Sequence, residues 1–125
     1  NWYVCNCNWD YDELLFNAKK MIQYNVTIGV GLGDEAELSV FLSEIFFPEL
    51  AAVNIYKEVK LLKLSQGMNV ESATFSIQYM FESNAVFEQF KSLYEVNLDR
   101  MLLQKFGGKV ATFRSEMILI AHSNF

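Results

Sequence analysis

Residues Ile22-Gln-Tyr-Asn-Val-Thr-Ile-Gly-Val30 alternate strictly between apolar and polar or small side chains. In an extended chain Ile22, Tyr24, Val26, Ile28 and Val30 share one face, and Gln23, Asn25, Thr27 and Gly29 share the other. Such a strand must bury one face and leave the other, so the chain has to supply an apolar layer to cover it. Two later stretches repeat the pattern. Ser72 to Glu82 sets Phe75, Ile77, Tyr79 and Phe81 against Thr74, Ser76, Gln78 and Met80. Lys109 to Ile120 sets Ala111, Phe113, Ser115, Met117 and Leu119 against Val110, Thr112, Arg114, Glu116 and Ile118.

The covering layer is legible between these strands. Asp34 can cap a helix, with Glu37 reaching back three residues on, and Leu38, Phe41, Leu42 and Ile45 then recur at helical spacing. Pro48 disturbs or ends that helix, because it lacks the donor for the next turn. Ile55 to Leu64 reads as a second strand, and Lys57, Lys60 and Lys63 suit a sheet edge where charge discourages further pairing. A loop, 65–71, follows. Ser83 caps a second helix carrying Val86, Phe87, Phe90, Leu93 and Tyr94, and the pattern resumes at Leu98, Met101, Leu102 and Phe106 after a kink near Val96. Gly107-Gly108 ends it, since glycine takes the left-handed conformation at low cost.

The order is therefore βαββαβ. With right-handed crossovers this gives an α+β, ferredoxin-like sandwich with both helices on one face of the sheet. The first and third strands are central, the last lies beside the first, and the second beside the third. If every apolar face turns toward the helices, Asn25, Thr27, Ser76, Gln78, Thr112, Arg114 and Glu116 collect on the opposite face. Tyr56, Glu58, Lys60, Leu62 and Leu64 join them if the second strand keeps its register.

Composition excludes several classes of partner. A net charge of −5 without any block of Lys and Arg argues against nucleic acid and anionic membranes. The apolar runs are much shorter than a bilayer span, and the first residues lack a basic stretch followed by an apolar one, so a cytoplasmic location is expected. Cys5 and Cys7 form neither a zinc set nor a disulfide framework, and no metal or cofactor is expected. Gly29-x-Gly31-x-Gly33 lacks the spacing of a dinucleotide loop and reads as a turn. Residues 1–20 differ from the rest, with Trp2, Tyr3 and Trp9 crowded without period. They read either as a docked amphipathic segment or as an extension upstream of a natural start at Met21, the latter preferred, with the domain itself at 21–125.

Three segments resemble one family. Tyr24-Asn-Val-Thr27, Phe75-Ser-Ile-Gln-Tyr79 and Phe106-Gly-Gly-Lys-Val-Ala-Thr-Phe-Arg114 are similar to the strand motifs of the domain of unknown function 4286 family of small bacterial proteins, over about residues 21 to 120. The resemblance implies a relation to the dimeric α/β barrels, in which two ferredoxin-like sheets pack face to face. Their superfamily includes monooxygenases and isomerases, although fold analogy says little about chemistry. The chain departs from the family pattern at Phe46-Phe-Pro48, where members commonly carry His-Ile-Pro, and at Leu102, where they carry His. Any activity resting on those imidazoles is in doubt here.

The candidate ligand-binding residues are Asn25, Thr27, Ser76, Gln78, Arg114 and Glu116. The first four form a polar floor on the central strands, fit for a small molecule inside a homodimer or for plain dimer packing. Arg114 and Glu116 read either as an anion anchor beside a carboxylate base or as an ion pair. No catalytic residue is assigned. His122, the only histidine, stands in a tail without an evident partner. The functions open at this point are a small-molecule-binding homodimer, a cofactor-independent oxygenase or isomerase, and a structural or regulatory interaction domain.

Overall fold

The computed structural model describes residues 20–65 and 71–123. Strands β1 (Ile22–Gly31), β2 (Glu58–Lys63), β3 (Ser72–Phe81) and β4 (Val110–Ile118) form one antiparallel sheet in the order β2-β3-β1-β4. Helix α1 (35–53) joins β1 to β2, and helix α2 (84–106) joins β3 to β4. This is the ferredoxin-like arrangement. Both readings of the 1–20 segment fall outside the described residues apart from Lys20, as does most of the loop around Gly67.

One face of β1 and β3 is buried beneath the helices. Tyr24, Val26 and Ile28 of β1 and Phe75, Ile77, Tyr79 and Phe81 of β3 pack with Leu38, Leu42, Phe46 and Leu50 of α1 and with Phe87, Phe90, Leu98 and Leu102 of α2. Rings dominate the β3 side of this core: Phe90 meets Tyr79 at 5.0 Å and Phe81 at 5.2 Å between centroids. Tilted ring pairs of this kind add to the burial of their area.

Each helix contains one widened π turn, Phe41–Phe46 in α1 and Lys91–Glu95 in α2. The apolar residues explain why. An α-helix advances about 100° per residue, so an apolar series spaced by four drifts about 40° per repeat. Leu38, Leu42, Phe46 and Leu50 are nevertheless all buried, as are Phe90, Leu98, Leu102 and Phe106. The wider turn absorbs one residue and restores the phase. For the same reason Ile45 and Leu93, which simple helical spacing places inward, are 51% and 56% exposed, while Phe46 is 4% exposed. In α1 the Phe47 N–H donates to the Leu42 carbonyl, five residues back, immediately before Pro48, and the helix continues to Val53 rather than ending at the proline. Asn54, in the left-handed conformation at φ 54°, terminates it.

The helix starts differ. Ser83 caps α2 as expected, its Oγ accepting from the Val86 N–H at 3.3 Å. Asp34 makes no capping bond; it faces Lys109 at 3.9 Å, and Glu37 faces Lys105 at 3.5 Å, so the capping box does not form. A short 3-10 turn, Leu32–Asp34, starts α1 instead. Gly107, at φ 56°, ends α2 in a conformation that suits glycine.

Candidate functional site

Residues directly opposite in antiparallel strands point to the same face. The register therefore decides where each polar side chain lies. In β1 and β3, Asn25 faces Gln78 and Thr27 faces Ser76, and in β2, Lys60 faces Gln78 and Leu62 faces Ser76. These residues occupy the open face, together with Gln23, whose Nε2 donates to Asn25 Oδ1 at 2.6 Å. The polar floor is thus assembled as expected.

Strand β4 is turned over relative to the sequence expectation. Arg114 lies opposite Val26, Glu116 opposite Tyr24 and Thr112 opposite Ile28, so all three share the helix side. Phe113 lies opposite Thr27, Ser115 opposite Asn25 and Met117 opposite Gln23, and these face the open side. Arg114 and Glu116 accordingly do not join Asn25, Thr27, Ser76 and Gln78. The physical reason is that β4 is an edge strand that the helices cover only partly, so the more apolar set was not compelled inward. Carboxylates on α2 hold Arg114 there, and Lys91 of the same helix holds Glu116. Tyr56 likewise leaves the open face; it precedes β2, packs on Phe81 and Phe90, and donates its hydroxyl to the Leu50 carbonyl at 2.7 Å.

On the helix side the structure gathers a polar cluster that periodicity did not reveal. Glu95 and Asp99, one helical turn apart on α2, receive Arg114 between them. Arg114 Nη2 donates to Asp99 Oδ1 at 2.6 Å, and its Nε stands 3.5 Å from Glu95 Oε2. The same Glu95 oxygen accepts a hydrogen bond from the Tyr24 hydroxyl. Burial, then the bond to Glu95, push the Tyr24 phenol well above the usual tyrosine range. Next along β4, Glu116 is 3.5 Å from Lys91, which also pairs with Glu88 at 3.1 Å and lies over the Phe87 ring. The sequence signal for this cluster was the i, i+4 carboxylate pair flanking the buried Leu98. Below it, a cleft of about 270 Å³ opens between the C-terminal half of α2 and β4. Among the described residues no three His, Cys, Asp or Glu side chains gather as a metal set, and no helix is long and apolar enough to cross a membrane.

Among the described residues, a single sheet with two helices on one side and no element on the other defines the chain as a ferredoxin-like α+β domain. It belongs to the domain of unknown function DUF4286 family, whose model matches residues 21–120. No curated protein matches the chain. Solved structures share the fold at low identity. A Bacteroides thetaiotaomicron protein of unknown function, described as a possible oxidoreductase, superposes with a TM-score of 0.61 at 12% identity, covering 82% of this chain and 100% of its own. A dimeric ferredoxin-like protein from an uncultured marine organism gives 0.61 at 11% identity, covering 83% and 99%. A Bacillus cereus protein described as a candidate antibiotic biosynthesis monooxygenase gives 0.54 at 10%, covering 85% and 99%.

Proposed function

We propose that this chain forms a homodimer through the open faces of two sheets and binds a small molecule in the chamber between them. The observation that carries the reading is the pattern of the open face. Its centre holds half-buried Asn25, Thr27, Ser76 and Gln78, while its margins expose Phe113, Met117 and Leu62. A second copy would remove the apolar margin from water and enclose the polar centre, whose amides and hydroxyls then need partners. A ligand rich in hydrogen-bonding groups supplies them. That a neighbour of the same fold is described as dimeric supports the arrangement. The oxygenase or isomerase reading places its substrate in the same chamber, with Asn25 donating to developing charge, and draws on the neighbour described as a possible oxidoreductase.

Native mass spectrometry of the purified chain and of Phe113→Lys tests the proposal. The expected result is a wild-type dimer retaining added small-molecule mass and a folded, monomeric, ligand-free variant. A wild-type monomer at micromolar concentration would overturn it.

A further inference from the structure

The cleft on the opposite side of the sheet has a chemistry of its own. Asp99, Leu102 and Leu103 of α2 form one wall; Val110, Thr112 and Arg114 of β4 form the other. At about 270 Å³ it is small beside most ligand pockets but ample for one ring, since an apolar cavity of about 150 Å³ already admits benzene. Leu102, Leu103 and Val110 make the body of the cleft apolar. Its polar end is the Glu95–Arg114–Asp99 arrangement, in which one cation stands between two anions.

That balance selects the ligand. Arg114 already fills the space between the two carboxylates, so the remaining negative charge repels a carboxylate or phosphate, while an ammonium at this end would stand against the guanidinium itself. The guanidinium has five N–H donors, of which one bonds Asp99 while its Nε stands 3.5 Å from Glu95. Asp99, half exposed, keeps acceptor capacity, and the Thr112 hydroxyl can serve either way. A group that donates and accepts at one atom matches this end. We propose that the cleft between α2 and β4 is a binding site for an uncharged one-ring molecule bearing a hydroxyl. The ring lies against Leu102, Leu103 and Val110, and the hydroxyl donates to Asp99 while accepting from Arg114. This site is separate from the chamber on the open face and does not depend on dimerisation.

Phenol, benzoate and benzylamine, titrated into the full chain and followed by amide proton–nitrogen correlation spectra, distinguish the cases. Phenol is expected to shift the amides of Leu103, Gly107, Val110 and Thr112 saturably, and benzoate to bind at least about tenfold more weakly, a difference of about 1.4 kcal/mol. Leu103→Glu, at an exposed helical position, should weaken phenol binding at least about tenfold with the spectrum otherwise retained. Asp99→Asn, which removes the excess negative charge, should bring benzoate to within about threefold of phenol, as expected for a partly solvated charge. Equal binding of benzoate and phenol, tighter binding of benzylamine, or unsaturable shifts would overturn the proposal. Shifts confined to Gln23, Asn25 and Gln78 would also overturn it, while leaving the open-face chamber standing.

Discussion

Tyr24 shows how one side chain serves two environments. Its ring is in the core, 4.9 Å from Phe87 and 5.7 Å from Tyr79, while its hydroxyl reaches the cluster at the edge and donates to Glu95. Removing that hydroxyl in Tyr24→Phe leaves the ring packing but strips Glu95 of a donor, and a hydrogen bond to a charged group is worth about 1.5–3 kcal/mol. A loss of that size in urea denaturation at pH 7 is expected. The phenols of Tyr24, Tyr56 and Tyr79 are all raised, each mainly by burial. The unfolded chain releases these protons near pH 10, before the folded chain does. Their contribution is therefore complete below pH 10 and declines as pH rises above it. Wild-type stability should fall as pH rises from about 10 to 12, and Tyr24→Phe should fall less steeply; parallel curves would show that Tyr24 takes no part.

The elements explain which sequence readings held. β1 and β3 were legible because helices cover one face of each along their length, so alternation had to follow the core. Their four polar residues Asn25, Thr27, Ser76 and Gln78 were placed together for that reason. β4 was not legible in the same way. Only Glu95 and Asp99, far along the chain and on another element, decide that Arg114 turns toward the helices. The π turns were hidden for a related reason: 3.6-residue spacing made Ile45 and Leu93 look buried, and only the core shows that each helix carries an extra residue. Deleting Leu93 should let the Lys91–Glu95 segment revert to α geometry with the Leu98, Leu102 and Phe106 stripe still in phase, at a cost of no more than about 1–2 kcal/mol, the scale of a typical single mutation. Deleting Arg100, outside the π turn, rotates Leu102 and Phe106 by about 100° and should cost about 4 kcal/mol or more, as loss of large buried side chains does. Urea midpoints of the two deletions check this, and equal losses would refute the phase argument.

At the scale of the molecule, the sheet has one face committed to the core and one that is not. If the second copy covers the open face, folding and association are coupled, and the melting temperature must rise with protein concentration. A rise of several degrees between about 1 and 100 μM is expected, on the scale by which about 1–3 kcal/mol moves the transition of a domain this size. Phe113→Lys should abolish the dependence, and a concentration-independent wild type would count against coupled association. The helix-side cleft should behave identically in both proteins, because it lies on the other side of the sheet.

The amino-acid sequence by itself determined the βαββαβ order, the strand neighbours, the Ser83 cap, the glycine stop after α2 and the polar floor of the central strands. Each of these follows from local propensity or from a periodicity that burial enforces along the whole element. Tertiary structure alone decided the facing of β4, the two π turns and the union of Tyr24, Glu95, Asp99 and Arg114. These depend on contacts between residues distant in the chain, where partial burial leaves both faces of an edge strand physically allowed and a charge partner on the neighbouring helix selects between them.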